Sequence, residues 1–87
     1  MYGKLLTELI GSFVFIAVII KTGDPLAIGI SLAAVIYMGS KVSGGHYNPA
    51  VTITMYANNK LKLGETLGYI TSQVLGGLLA LKYHQNF

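Results

Sequence analysis

The sequence predicts an all-α membrane protein with three transmembrane helices and one re-entrant half-helix. Three observations carry this expectation. The first is composition: 53% of the 87 residues are hydrophobic and 10% charged. A soluble domain this small must cover most of its surface with polar groups, and six basic with three acidic side chains are too few to do so. The second is punctuation, because lysines divide the chain into apolar runs: Leu5 to Ile20, Pro25 to Ser40, and Thr66 to Leu81. The third is the stretch SGGHYNPAVT, Ser43 to Thr52, which sets polar and structure-breaking residues between apolar neighbours.

Each apolar run is about 16 residues, or ~24 Å of helix, short for a hydrocarbon core of ~30 Å. Lys4, Lys21, Lys41 and Lys82 stand at the ends, where long side chains snorkel to the headgroups and lengthen the span. The expected helices cover about 4–22, 25–41 and 64–83, in a single unit over 1–87. No run has the charged face that a soluble bundle helix turns to water.

Between the second and third runs lies the re-entrant segment, about 42–59. Pro49 suits a first helical position with Asn48 as its N-cap, and Asn58-Asn59 provides a stop. Gly44 and Gly45 let the chain fold back. A helix of about ten residues is ~15 Å long and ends near the bilayer midplane. Gly68, Ser72, Gly76 and Ala80 form a stripe of small residues suited to close helix contact. Thr7 with Gly11, and Gly29 with Ala33, make shorter patches.

Charge excludes several functions. The net charge of +3 is scattered, so nucleic acid is not an expected partner. A mild lysine excess suits anionic lipid headgroups. With no cysteine there is no disulfide or thiolate metal site. The first apolar run is too long for a signal-peptide core and lacks a small-residue cleavage site before Lys21. Lys4, Lys41, Lys60 and Lys62 fall on the side of the first helix's start, and Lys21 and Lys82 on the other. That bias mildly favours a cytoplasmic start and leaves dual orientation open.

Ser43-Gly44-Gly45-His46-Tyr47-Asn48-Pro49-Ala50-Val51-Thr52 resembles the first signature loop of the aquaporin family, the major intrinsic proteins. Glu8-Leu9-Ile10-Gly11-Ser12-Phe13 resembles the start of the family's first helix, and Gly68 to Gly76, with Tyr69 and Gln73, its third. The resemblance covers essentially the whole sequence and implies half of an aquaporin-like fold. Family members carry two such repeats in inverted orientation. This sequence holds one, and it resembles the first because Val51 stands where the second repeat carries Arg.

A half-helix exposed to lipid is untenable. Its first N–H groups and the loop carbonyls from Lys41 to Tyr47 are expected to be unpaired, and each such group costs several kcal/mol in hydrocarbon. The resemblance implies that a second, antiparallel copy covers it, as a homodimer or higher oligomer, or that another aquaporin repeat does. It further implies a passive channel for water or small neutral solutes such as glycerol or ammonia. Loop carbonyls would accept hydrogen bonds from the permeant file, and Asn48 would donate to the molecule at the midplane. Glu8 and Gln73 would brace the loop. Ile28 and Val51 match the family's constriction and would make it apolar.

His46 is open between a gate, a loop hydrogen bond and, least expected, a metal ligand. Tyr2, Tyr37, Tyr56, Tyr69 and Tyr83 include interfacial anchors. Two other functions stay open. One is a non-conducting half that associates with full-length aquaporins and modulates them. The other is a small proton-coupled transporter using Glu8. No nucleophile–base pair or phosphate cradle suggests an enzyme, and no cofactor is implied.

Overall fold

The computed structural model covers all residues 1–87. It contains four helices and no strand: α1 Tyr2–Thr22, α2 Pro25–Gly39, α3 Pro49–Ala57 and α4 Leu63–Asn86. Local chemistry sets most ends. Gly23 closes α1 in the left-handed region (φ 59°), its N–H donating to the Ile19 carbonyl, a conformation that costs glycine little. Asp24 caps α2 by accepting the Ala27 N–H at 2.8 Å, with Pro25 at the first position. Asn48 caps α3 in the same way, accepting from Ala50 at 2.8 Å ahead of Pro49. Asn58 and Asn59 end it, Asn59 at φ 61°. In the first turn of α4, Glu65 accepts the Lys62 N–H at 3.2 Å.

α2 stops at Gly39, two residues before the expected end near 41. The chain instead tightens into a turn in which Val42 and Ser43 donate to the Gly39 carbonyl and Gly44 to that of Ser40. α4 runs past Leu81 and through Lys82 to Asn86. Its 24 residues make a helix of ~36 Å, close to the 38 Å long axis of the molecule. α1 is long and apolar enough to cross a membrane, with a mean hydropathy of 2.0. α2 is apolar but has 15 residues.

α1 and α4 lie side by side in the same direction. Lys4 meets Glu65 near their starts at 3.1 Å. The small stripe of α4 faces α1: at Gly76 a Cβ would strike the Leu9 carbonyl and the Ser12 side chain, and at Gly68 it would meet Leu5. Backbones this close are the use of small residues in helix pairs. α2 packs on the opposite flank of α1 and α3 packs on α4, while α2 and α3 do not touch. Gly29 faces open space, so its patch on α2 has no partner within the chain.

The interior is polar and the exterior apolar. The buried hydrophobic residues are Tyr47, Tyr69 and Ala80, whereas Glu8, Ser12, Ser43, Thr52, Thr66, Ser72 and Gln73 are all buried. Leu26, Ile30, Leu67 and Leu78 stand exposed. In water this arrangement would forfeit most hydrophobic stabilisation; in lipid those outward side chains are solvated.

Candidate pore loop and half-helix

The segment between α2 and α3 returns on itself through three left-handed residues: Gly44 (φ 91°), Gly45 (φ 64°) and Tyr47 (φ 54°). At Gly45 a Cβ would press to 3.2 Å from the Ile36 backbone of α2, a tight approach that adds to the strain its φ would put on any other residue. Tyr47 is the costly member, since a non-glycine residue in this region loses about 1–2 kcal/mol. Its surroundings hold it. The ring lies over Gly11 of α1 and Gly39 of α2, where any Cβ would collide with it, and its hydroxyl donates to the Val35 carbonyl at 2.6 Å.

Glu8, fully buried on α1, organises the loop from behind. Oε2 accepts from the Ser43 hydroxyl at 2.7 Å and the His46 N–H at 3.1 Å. Oε1 accepts from the Tyr47 N–H at 2.7 Å and from Gln73 Nε2 at 2.9 Å. Four donors thus converge on one carboxylate, which offsets the cost of burying it. Gln73 Nε2 also donates to Thr52 Oγ1 at 2.8 Å, and Thr52 Oγ1 lies 2.9 Å from His46 Nδ1. Tyr69 closes the network by donating to the Ser43 carbonyl at 2.6 Å. α1, the loop, α3 and α4 are therefore joined through one set of hydrogen bonds.

Other polar groups of the loop have no partner within the chain. The carbonyls of Gly44, Gly45, His46 and Tyr47 accept no hydrogen bond within the chain. Asn48 and Ala50 are exposed. Asn48 uses Oδ1 for the cap, which leaves its Nδ2 without a partner. The expectation that the half-helix N–H groups and all the loop carbonyls are unpaired is corrected at two places: Ala50 N–H is capped by Asn48, and the Ser43 carbonyl is taken by Tyr69.

The structure brings Glu8, Gln73, Gly44, Gly45, His46, Asn48 and Pro49 to one place. Ile28 and Val51 are not brought together. Ile28 lies in the first turn of α2, Val51 in the first turn of α3, and those helices make no contact. Of the five tyrosines among which interfacial anchors were expected, Tyr69 is a core residue at 1% exposure. Ser43, Tyr47 and Thr52 were not assigned from sequence. Tyr69 had a legible signal, four residues before Gln73 on the same helical face. Tyr47 had none, because Gly11 and Gly39 are distant from it in sequence.

Residues 1–85 match the family described as Major intrinsic protein. The chain belongs to the major intrinsic protein family. Over 95 residues it is 38% identical to Aquaporin Z of Photorhabdus laumondii, covering 92% of this chain and 41% of that protein. It is 37% identical over 86 residues to Glycerol uptake facilitator protein-like 6 of Lactiplantibacillus plantarum, covering 88% and 40%. Aquaporin NIP3-1 of Arabidopsis thaliana is 33% identical over 91 residues, covering 88% and 28%. The chain spans less than half the length of these relatives.

Proposed function

We propose that this chain forms one half of a passive channel for water or small neutral solutes, its pore completed by an inverted second repeat. α1, α2 and α4 cross the bilayer, and the loop with α3 enters and stops near the midplane. The observation that carries the reading is the uneven pairing of the loop: the His46 and Tyr47 N–H groups are tied to Glu8, while four successive carbonyls and Asn48 Nδ2 have no partner in the chain. A water or hydroxylated solute donates to the carbonyls and accepts from Asn48, so the free groups suit a neutral file. Names such as aquaporin and glycerol uptake facilitator among the relatives agree with this substrate class.

The inverted repeat supplies what one half lacks. Unpaired backbone in hydrocarbon must be covered by protein or line a wet cavity, and inverted repeats around a midplane site are a common transporter plan. A second copy of this chain or another aquaporin repeat fills the role. Two half-helix N-termini then meet at Asn48 and raise the potential against cations. Ile28 and Val51, apart within one half, constrict the passage only when the second half brings such positions together, and they make it apolar.

Osmotic swelling of liposomes holding this chain alone tests the proposal. We expect water or glycerol flux that is lost in Asn48→Asp and unaffected by a pH gradient. Absence of flux at every protein density, together with altered flux through a co-reconstituted full-length aquaporin, would favour the non-conducting associating half instead.

A further inference from the structure

We propose that a cleft at the lysine-rich end of the molecule holds the headgroup of an anionic phospholipid. The cleft, about 360 Å³ in volume, is bordered by Lys4, Lys60 and Glu65, with Ser43, His46 and Tyr69 deeper inside. It opens where α1 and α4 begin and where the α3–α4 turn carries Lys60 and Lys62. The inference rests on the membrane placement proposed above, which sets this end among headgroups.

Charge at the rim favours an anion. Glu65 is the one carboxylate that reaches solvent at this end, and both its oxygens are occupied, one by Lys4 Nζ at 3.1 Å and one by the Lys62 N–H at 3.2 Å. Lys41, Lys60 and Lys62 have no carboxylate within 4 Å. Each lysine near a membrane surface strengthens attraction to anionic lipid several-fold.

The inner wall supplies a directed donor. Thr52 Oγ1 accepts from Gln73 Nε2, and the hydroxyl's own proton has His46 Nδ1 as its acceptor at 2.9 Å. The network therefore assigns the His46 ring proton to Nε2. That nitrogen has no hydrogen-bond partner in the chain and lies beside Gly44, another residue of the cleft wall. A phosphate oxygen accepts from Nε2–H while Lys60 neutralises its charge. Tyr69, whose ring centroid is 5.1 Å from that of His46, holds the imidazole in place. The headgroup would thus touch the side chain of a loop residue whose carbonyl has no partner in the chain.

The test uses the full chain in nanodiscs of equal phosphatidylglycerol and phosphatidylcholine. Retained lipid is counted by native mass spectrometry, and the His46 ring nitrogens are followed by NMR; flux plays no part, so a chain that conducts nothing still tests the site. We expect phosphatidylglycerol to be retained over phosphatidylcholine and to shift His46 Nε2. Lys60→Gln should lower that preference roughly five-fold, Lys60→Arg should restore it, and Lys21→Gln with Lys82→Gln at the far end should leave it unchanged. Equal retention of the two lipids overturns the proposal, as does an equal effect of the far-end variants. So does inorganic phosphate, if it shifts His46 as far in phosphatidylcholine discs as the anionic lipid does.

Discussion

Glu8→Gln is the sharpest perturbation of the loop. The variant keeps the shape of the side chain and replaces one acceptor oxygen with an NH₂ group. Placed at the Oε1 position, that group would confront the Tyr47 N–H, a donor that cannot turn into an acceptor, and Gln73 Nε2, whose amide would have to flip and give up its bond to Thr52 Oγ1. Placed at Oε2, it confronts the Ser43 hydroxyl, which can rotate and accept, and the His46 N–H, which cannot. The second placement is the less costly, so one buried N–H is orphaned at about 1–3 kcal/mol. The two bonds left at Oε1 also lose their charge assistance, about 1 kcal/mol each. The total loss is therefore about 3–5 kcal/mol. Reversible unfolding in mixed micelles, followed by circular dichroism against a denaturing detergent, measures it, and Glu8→Ala should lose more. If Glu8→Gln unfolds within about 1 kcal/mol of the parent, the carboxylate does not organise the loop and the reasoning fails.

Tyr69→Phe deprives the buried Ser43 carbonyl of its donor and should cost about 1–3 kcal/mol in the same assay. Tyr47→Phe removes a bond to a carbonyl that α2 still uses, so about 0.5–1.5 kcal/mol is expected. Gly76→Ala drives a Cβ into the Leu9 carbonyl. It should separate α1 from α4 at a cost of about 1–3 kcal/mol, visible as increased amide exchange along both helices. Gly29→Ala meets open space within the chain, so it should leave the unfolding of the isolated chain within about 0.5 kcal/mol of the parent.

Helix order, caps and the close approach of α4 could be read in advance because each rests on local signals: Asp24-Pro25, Asn48-Pro49, Asn58-Asn59, and small residues at four-residue spacing. The signature loop could be read through its resemblance, which pointed to Glu8 and Gln73. Harder to read was what holds Tyr47 in a left-handed conformation. That depends on glycines from α1 and α2 that only the folded chain brings beneath one ring. Thr52 was obscure for a similar reason, being an ordinary residue of a short helix until Gln73 and His46 meet it. The pairing of Ser43 with Tyr69 likewise joins residues with no periodic relation.

The ring of Tyr47 and the two bare backbones beneath it share a fixed volume, so these positions cannot drift independently. At Gly39 an added methyl meets the phenolic oxygen, whereas at Gly11 it meets ring carbons. Alanine at 39 should therefore need both phenylalanine at 47 and a shift of Thr7, whose Cγ2 would lie 2.8 Å from the new methyl, while alanine at 11 should demand a smaller, non-aromatic residue at 47. Lineages descended from this sequence would be expected to change the three sites in a fixed order, trimming the aromatic before thickening either helix.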